Sequence, residues 1–564
     1  MSAALLLEHY ARIADAPDAI SRLRRFVLDL AVRGKLVEQD AGDEPASELL
    51  ERIATEKARL VKVGTVRDRA ALPAVKPQDA PYSLPSSWMW VRFANIVEFY
   101  AGRTPARNDL SFWNTGDHAW VSIADMEDGG IIQQTKETVS DIARTNVFKS
   151  EPEPAGTMVM SFKLTIGKIA RLGVPAFHNE AIISIHPHLA PLDGYLFMSL
   201  PELARAGDTR GAIKGATLNR DSLSNILVPL PPLAEQHRIV AKVDELMALC
   251  DQLEAARAER EAARDTFTLS TLAKLNIPDP ETFGNDARFA LANLAPLTIR
   301  PDQIKQLRQT ILNLAVRGKL VEQDVADEPV EGLVQRIQRP IQELAQSLRL
   351  KVPQLPSMSE DQAPFELPVG WCWARFPELG AFGRGRSKHR PRNDPALYSD
   401  GEHRMIQTGD VARSKGLIQT HTAKYNDVGL AQSRLWPNGT LCITIAANIA
   451  DSGILDFAAC FPDSVVGFVP APCFENARYF EYFMRTAKAD LLAFAPATAQ
   501  KNINLDILMQ VMIPLPPLAE QHRIVAKVDE LMALCDQLEA SLITGGQTRS
   551  GLLEAVLHNA LEPA

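Results

Sequence analysis

Apolar residues at alternating spacings of four and three positions mark two long helices in this chain. The first set is Ile239, Val243, Leu246, Cys250 and Leu253, and the second is Ile524, Val528, Leu531, Cys535 and Leu538. This spacing is typical of the apolar seam of a coiled coil, in which the two cysteines are expected to be small buried residues. The pattern predicts helices of about 35 residues, roughly 50 Å long. Two such helices can bury their seams on each other, in an orientation that the spacing does not fix.

Each seam lies in a repeated segment, PLPPLAEQHRIVAKVDELMALCDQLEA, which occupies Pro229–Ala255 and Pro514–Ala540 and is identical at all 27 positions. Two further parts recur in the same order. LAVRGKLVEQD occupies Leu30–Asp40 and Leu314–Asp324, and YSLPSSWMWVRF from Tyr82 matches FELPVGWCWARF from Phe365. The copies are 283 to 285 residues apart, so the chain is a tandem duplication.

Two blocks between the repeated parts have diverged. Block 1 (residues 82–228) and block 2 (residues 365–513) contain short apolar runs such as TMVMSF, AIISIHP and TLCITIAANI, bounded by Gly, Pro and Asn. These features predict two mixed α/β domains in an α+β fold with an internal repeat. The predicted regions are a helical region at 1–62, block 1 at 82–228, a helix at 229–275, a second helical region at 301–350 that repeats 17–62, block 2 at 365–513 and a helix at 514–564.

Composition indicates an ordinary soluble protein. The 564 residues are 46% hydrophobic and 23% charged. No apolar stretch approaches the roughly 18 residues of a membrane span, so we expect no membrane contact and a cytoplasmic location. The six cysteines include no CxxC pair, which argues against a zinc site and against a disulfide framework. We therefore expect no metal in this chain.

The distribution of charge matters more than its total. A net charge of -9 argues against nucleic acid as a partner, yet block 1 carries about -2 and block 2 about +1, so most of the negative charge lies in helices and linkers. Five cations crowd one loop of block 2: Arg384, Arg386, Lys388, Arg390 and Arg392. Such a loop can neutralise DNA phosphates or contact a guanine edge. The alternative is an ordinary solvated loop.

Polar positions of the repeated segment are also unchanged between the copies, which seam packing does not explain. They include Glu235, Gln236, Arg238 and Lys242 in the first copy and Glu520, Gln521, Arg523 and Lys527 in the second. A solvated face normally changes after a duplication. Recent duplication or gene conversion explains the identity without a function. A partner that binds each copy explains it as well, and it is favoured because the blocks have diverged while the repeated parts have not.

The chain resembles the specificity (S) subunits of type I restriction-modification systems over nearly its whole length. PLPPLAEQHRIVAKVD resembles the segment that closes each target-recognition domain of that family, and LAVRGKLVEQDAGDEPASELLERI resembles its helical region. GRTPARNDLSFWN with WVSIADM in block 1, and GRGRSKHRPRNDP with MIQTGDV in block 2, look like the opening of such a domain. The second opening lacks the Thr-Pro of the first.

The resemblance implies a non-catalytic subunit. Two inverted target-recognition domains would be separated by long antiparallel coiled-coil helices, and each would recognise one half of a split sequence in double-stranded DNA. Two methyltransferase (M) subunits that carry S-adenosylmethionine would dock on the assembly. Restriction (R) subunits, which use ATP and Mg²⁺, would join for cleavage. A scaffold whose two blocks bind proteins without DNA contact is the alternative.

The DNA-binding candidates beyond the block 2 cations lie in these openings and in the closing parts GATLNRDSLSNIL and ATAQKNINLDIL. In block 1 they are Arg103, Thr104, Arg107, Asn108, Lys163, Lys214, Asn219 and Arg220; in block 2 they are Gln407, Gln500, Lys501, Asn502 and Asn504. Side chains of these types can contact base edges or phosphates. Thr104-Pro105 and the Asn-rich stretches are equally compatible with turns. Trp88, Trp90, Trp371 and Trp373 are expected to be core residues rather than base-stacking platforms.

Motifs for catalysis are absent from the sequence. None of the 20 lysines has Asp or Glu two positions before it, as a PD-(D/E)xK nuclease requires, and both Pro-Pro pairs lie in Leu-Pro-Pro-Leu rather than in a methyltransferase loop. Walker A and His-Glu-x-x-His motifs are also missing. The chain is therefore predicted to bind rather than to catalyse.

Overall fold

The computed structural model describes residues 15–206, 210–212, 215–356, 358, 363–389, 391–493 and 503–561. These residues form two compact units. Unit 1 comprises Met1–Arg260 together with Gly546–Ala564, and unit 2 comprises Glu261–Gly545. Block 1 belongs to unit 1 and block 2 to unit 2.

Block 1 contains two sheets and two strand pairs. Its strands are β1 (Met89–Arg92), β2 (Val97–Ala101), β3 (Trp113–Val121), β4 (Gly130–Ile132), β5 (Glu137–Val139), β6 (Met158–Ser161), β7 (Ile169–Leu172), β8 (Ala176–His178), β9 (Ile182–Pro187), β10 (Arg210–Ala212), β11 (Gly215–Thr217) and β12 (Leu227–Leu230). A five-stranded sheet has the order β2-β9-β6-β7-β4, and a three-stranded sheet has the order β5-β3-β8. β1 pairs with β12, and β10 with β11.

Block 2 repeats this arrangement in unit 2. Its strands are β13 (Cys372–Arg375), β14 (Gly380–Arg384), β15 (His403–Met405), β16 (Leu417–Ile418), β17 (Ala423–Tyr425), β18 (Leu435–Trp436), β19 (Leu441–Thr444), β20 (Ser452–Leu455), β21 (Ala459–Cys460), β22 (Val465–Pro470) and β23 (Met512–Leu515). The five-stranded sheet has the order β14-β22-β19-β20-β16, the smaller sheet has the order β17-β15-β21-β18, and β13 pairs with β23. The predicted mixed α/β domains are confirmed.

The apolar runs noted in the sequence lie at the centre of these sheets. MVMS forms β6, IISIHP forms β9 and LCIT forms β19, and every residue of β6 and β19 is buried. Strands covered on both faces are nearly continuous runs of apolar residues rather than alternating ones. This burial explains why the sequence of these strands shows runs of about four to six apolar residues and not an alternation of apolar and polar residues.

The helices occupy the following ranges. In unit 1 they are Ala19–Val32, Ala46–Lys62, Phe93–Ile96, Asp141–Ala143, Asp193–Ala206 and Arg220–Ser224, and in unit 2 they are Phe283–Ala292, Leu294–Leu297, Pro301–Val316, Val330–Arg336, Gln338–Ser347, Phe376–Leu379, Thr408–Arg413, Asp427–Ala431, Arg478–Ala493 and Leu505–Met509. Two long helices, Leu233–Asn276 and Leu518–Leu561, have 44 residues each and contain the unit boundaries. They are longer than the predicted 35 residues because they continue past the seam. Among the described residues, no helix is long and apolar enough to cross a membrane.

The first and last strands of each block lie side by side. β1 and β12 are antiparallel with Trp90 opposite Pro229, and β13 and β23 are antiparallel with Trp373 opposite Pro514. Proline is tolerated here because a two-stranded pair leaves one side of each strand without ladder partners. The long helix thus begins next to the point where the block begins. A block can therefore change internally while its two ends keep the same position.

The first part of each seam belongs to the core of its own unit. Ile239 and Val243 pack in the unit 1 core with Phe93 and Val228, and Ile524, Val528 and Cys535 pack in the unit 2 core. The predicted burial of Cys250 and Cys535 is confirmed. Leu253 and Leu538, the last residues of the two seams, are 41% and 36% exposed, so the burial predicted for the seam does not extend to them. Mutual packing of the other seam positions stays a prediction.

Candidate nucleic-acid interface

One end of the five-stranded sheet in unit 1 collects the loops that carry the block 1 candidates. Because β9 runs antiparallel to β2 and to β6, the ends of β2 and β6 lie on the side where β9 begins. Backbone hydrogen bonds join the loops there: the Gly102 N–H donates to the Ile182 carbonyl at 3.1 Å, and the Leu218 N–H donates to the Phe162 carbonyl at 3.0 Å. The fold therefore brings together residues 102–109, 162–168 and 218–220.

The first of these loops is held by its own side chains. Arg103 Nη1 donates to the Val147 carbonyl at 2.6 Å, and the Thr104 hydroxyl donates to the Glu180 carboxylate. The Arg107 guanidinium lies 4.0 Å from the ring centroid of Trp113 and pairs with Glu137 at 2.5 Å. Asn108 is exposed. Exposed ion pairs are worth only about 0–1 kcal/mol, so Arg107 can exchange Glu137 for a phosphate at little cost.

The other two loops carry the remaining block 1 candidates. The Lys163 ammonium lies 5.1 Å from the Phe162 ring, and the exposed Arg220 lies 5.7 Å from the Phe99 ring. Asn219 caps the helix Arg220–Ser224, because its Oδ1 accepts from the Ser222 N–H at 2.7 Å. The Asn219 side chain thus has a structural role as a helix cap, and its Nδ2 group is not used in that role. Lys214 lies outside the described residues.

In unit 2 the same end of the sheet collects the corresponding loops. The Gly385 N–H donates to the Val465 carbonyl at 2.8 Å, the Ile445 N–H to the Ser464 carbonyl at 3.0 Å, and the Ile503 N–H to the Ile445 carbonyl at 3.0 Å. These bonds join the segment after β14, the loop 445–451 and the segment that begins at Ile503. The two units therefore present the same three segments.

Loops 162–168 and 445–451 have the same backbone construction. In the first loop the buried Ser161 hydroxyl accepts from the Lys168 N–H at 3.1 Å. In the second loop the buried Thr444 hydroxyl accepts from the Asp451 N–H at 3.0 Å. Leu164 and Ala447 have φ of 66° and 65°, which is uncommon for residues other than glycine. The charges differ, because Lys168 corresponds to Asp451 and Lys163 to an alanine. One backbone frame thus presents different chemistry in each unit.

The cations of block 2 divide into exposed and half-buried positions. Arg384 and Lys388 are exposed, whereas Arg386 is half-buried and its Nε has no hydrogen-bond partner among the described residues. Arg434, which the sequence did not single out, donates from Nη1 to the Arg384 carbonyl at 3.0 Å. Burial, with a contribution from the Arg386 charge, lowers the pKa of Arg434. An additional cation therefore joins this cluster from a distant part of the chain.

The other block 2 candidates have mixed placements. Arg392 pairs with Asp463 at 2.5 Å. Gln407 is exposed, and its N–H donates to Asp410 Oδ2 at 2.8 Å at the start of the helix Thr408–Arg413. Asn504 caps the helix Leu505–Met509 by accepting from the Ile507 N–H at 2.8 Å, as Asn219 does in unit 1. The candidates outside the described residues are Arg390, Gln500, Lys501 and Asn502.

Half of the polar residues assigned to partner binding are buried, which corrects that prediction. Glu235 is 1% exposed, Gln236 0%, Glu520 2% and Gln521 3%. Glu235 accepts from Trp88 Nε1 at 2.9 Å and from Gln39 Nε2 at 2.6 Å. The Gln236 side chain donates to the Pro231 carbonyl at 2.9 Å. The side chains of these residues make hydrogen bonds within their own unit. These contacts give a structural reason for the presence of the same residues in both copies.

The tryptophan–glutamate and glutamine–proline contacts recur in the second copy. Trp371 Nε1 donates to Glu520 Oε2 at 2.9 Å, and Arg523 pairs with Asp327 as Arg238 pairs with Asp43, both at 2.6 Å. Burial raises the pKa of the Glu520 carboxyl, and the hydrogen bond from Trp371 opposes this shift. Trp88 and Trp371 are buried, as predicted for core residues, whereas Trp90 and Trp373 are only half-buried. Lys242 and Lys527 remain partly exposed, each paired with a glutamate three residues later.

Comparisons with known proteins agree with this arrangement of two related blocks. Residues 85–261 and 369–544 match the family described as "Type I restriction modification DNA specificity domain". The chain is 29% identical over 582 residues to the type I restriction enzyme EcoEI specificity subunit of Escherichia coli, covering 96% of this chain and 94% of that protein. It is 28% identical over 586 residues to the EcoAI specificity subunit of Escherichia coli, with the same coverage.

Among solved structures, the HsdS subunit from Thermoanaerobacter tengcongensis aligns with a TM-score of 0.42 and 19% identity. The alignment covers 86% of this chain and 99% of that one.

Proposed function

The chain belongs to the family of type I restriction modification DNA specificity domains, and we propose that it recognises a bipartite target in double-stranded DNA, one half with each block. It is a specificity subunit with two target-recognition domains. The observation that carries the proposal is the shared loop frame at one sheet end, on which the two blocks place different charged side chains. Different half-targets require such differences on a common frame.

The proposed contacts lie at this sheet end. Exposed cations, namely Arg103, Arg107 and Arg220 in block 1 and Arg384, Lys388 and Arg392 in block 2, would hold phosphates and contact base edges. The blocks carry net charges of about -2 and +1, which supports only weak DNA binding by this chain alone. Partner subunits would then supply much of the contact with the DNA backbone.

We place catalysis in partner subunits. Methyltransferase (M) subunits would carry S-adenosylmethionine, and restriction (R) subunits would use ATP and Mg²⁺ for cleavage. Among the residues that the structure describes, no group of three or more His, Cys, Asp or Glu side chains is arranged to hold a metal ion. The contribution of this chain is the choice of the DNA sequence.

The docking face for the M subunits follows from the exposed part of the repeated segment. Lys242, Glu245, Leu249 and Leu253 lie at spacings of three, four and four, which places them on one helix face. Leu249 and Leu253 are 46% and 41% exposed, and their counterparts Leu534 and Leu538 are 48% and 36% exposed. Paired exposed leucines beside a lysine and a glutamate, repeated without change, suit one partner bound twice. This face replaces the buried positions in the docking proposal.

Replacing Leu249 and Leu253 by Glu is expected to release one of two bound M subunits, and adding the same change at Leu534 and Leu538 should release both. Placing a carboxylate where a leucine packs against the partner should weaken each site at least about tenfold, which corresponds to about 1.4 kcal/mol. Light scattering of the purified complex gives the number of M subunits. Leu269→Glu is the matched control, since Leu269 lies on the same long helix, is 57% exposed and has no repeated counterpart. Two bound M subunits in the fourfold variant would contradict this docking face.

The proposed function as a whole is tested by mapping modified bases in DNA from cells that produce the chain with its M subunit. A protein-binding scaffold without DNA contact would leave no modification that depends on this chain.

A further inference from the structure

An open cavity of about 810 Å³ lies in unit 2. It is lined by residues of the helices Pro301–Val316 and Arg478–Ala493 and of β23. Its lining includes Arg317, Arg485 and Lys488, and among its described lining residues there is no Asp or Glu. A volume of this size is within the range of small-molecule sites. The chemistry of the lining favours an anion.

The three cations differ in how far they are neutralised. Arg485 pairs with Glu481 at 2.6 Å, and Lys488 pairs with Asp451; neither acid lines the cavity. The Arg317 guanidinium lies 4.6 Å from the ring centroid of Phe365, and burial alone lowers its pKa. A half-buried cation gains free energy when an anion approaches it, because its own hydration is already reduced.

Aromatic side chains form another part of the lining. Phe365 and Trp373 line the cavity together with Phe483. The rings of Phe365 and Trp373 meet edge to face, with centroids 4.9 Å apart. Neither of these two side chains is fully buried. Aromatic rings of this kind stack on nucleobases, with about 1–3 kcal/mol per base in nucleic-acid complexes.

Unit 1 has two acids at the corresponding place. The repeat aligns Asn313 with Asp29. It also aligns Tyr479 with Tyr195, and the hydroxyls of these two residues donate to the carbonyls of Pro514 and Pro229. Thr486 and Glu202, each seven residues after its tyrosine, therefore correspond to each other. Glu202 lies 3.6 Å from Arg25. Burial and the charge of Glu202 raise the pKa of the Asp29 carboxyl. The duplicated frame thus has carboxylates in unit 1 where unit 2 has neutral side chains.

We propose that the unit 2 cavity binds a nucleotide, with its phosphates on Arg317, Arg485 and Lys488 and its ring against Phe365 and Trp373. The site goes beyond the recognition of the target sequence, since its lining residues lie outside the loops that converge at the sheet end, and it touches those loops through the ion pair of Lys488 with Asp451. A free nucleotide and a nucleotide within a nucleic-acid strand share this chemistry. In unit 1, Asp29 and Glu202 would repel the same phosphates.

The test is isothermal titration of the full chain with ATP, with inorganic phosphate and with a single-stranded oligonucleotide, whose unpaired bases can stack on aromatic rings. We expect ATP to bind at one site per chain and at least tenfold more tightly than inorganic phosphate, because the ring contributes. Changing Asn313→Asp with Thr486→Glu reproduces the unit 1 arrangement and should weaken ATP binding at least tenfold. Lys488→Met, which removes one cation of the lining, should weaken it about threefold to tenfold.

Asp29→Asn with Glu202→Thr is the matched control in unit 1 and should leave ATP affinity unchanged. If only the single strand binds, and the Asn313→Asp and Thr486→Glu variant weakens it, the nucleotide belongs to a strand and the site stands. Three results would overturn the proposal: no binding of ATP or single strand, equal binding of ATP and inorganic phosphate, or ATP and single-strand affinities that both unit 2 variants leave unchanged. Thermal unfolding of each variant verifies that it is folded.

Discussion

Replacing residues 82–228 by a second copy of residues 365–513 is expected to abolish recognition of one half-target and to duplicate the other. The junctions permit this exchange because the two units make the same contacts there. Trp90 lies opposite Pro229 as Trp373 lies opposite Pro514, and Trp88 donates to Glu235 as Trp371 donates to Glu520, both at 2.9 Å. If the blocks are inverted, as the family resemblance implies, the new target is an inverted repeat of the half that block 2 recognises.

The size of this effect follows from the removal of several base-specific interactions at once. Each mismatched base pair costs about 1–3 kcal/mol, so losing several specified base pairs at once should weaken binding to the original sequence by at least about 100-fold. Competition binding with M subunits present measures this decrease, and selection from random duplexes gives the new target. An unaltered preference would contradict modular recognition. If the exchanged variant unfolds at a much lower temperature than the unmodified protein, the experiment is repeated with the helix Pro301–Val316 exchanged together with block 2.

Removing Arg384 and Lys388 together, by substitution with Ala, is expected to weaken DNA binding by roughly 10- to 100-fold at low salt. Both side chains are exposed at the sheet end of unit 2. If both hold phosphates, the slope of log affinity against log salt should fall by about 2, because each phosphate contact contributes about 0.9. Removal of a hydrogen bond to guanine would instead reduce discrimination between targets by about 1–3 kcal/mol for one base pair. Fluorescence anisotropy at several salt concentrations separates the two contributions.

The matched control for this variant removes two exposed arginines outside the block, Arg336 and Arg339. It changes the net charge by the same amount and should leave the salt slope unchanged. Equal slopes for the unmodified chain and for the Arg384 and Lys388 variant would assign these cations to a solvated loop.

The fold was largely predictable because its main features are local or repeated. Apolar runs became the central strands β6, β9 and β19, since a strand buried on both faces needs no polar positions. The duplication predicted two domains of one architecture. The length of the helices was underestimated, because a helix can continue without an apolar seam when its face is solvated.

The chemistry of the polar positions was less predictable because it depends on distant partners. Glu235 is occupied by Trp88 and Gln39, which lie 147 and 196 residues away in sequence, so its burial had no local signal. The capping role of Asn219 did have a local signal, because Asn is a preferred N-cap residue and its side chain accepts from the N–H three residues later, here that of Ser222. Arg434 has no other cation near it in the sequence. It lies beside the block 2 cations because it donates a hydrogen bond to the Arg384 carbonyl.

The most direct measurement of the central claim is a map of modified bases in DNA from cells that produce the unmodified chain with its M subunit. The account predicts one split motif, in which two specific parts are separated by a fixed number of unspecified base pairs, and no such modification when the chain is omitted. A motif without a gap, or modification that is the same with and without the chain, would contradict recognition of two half-targets by two blocks.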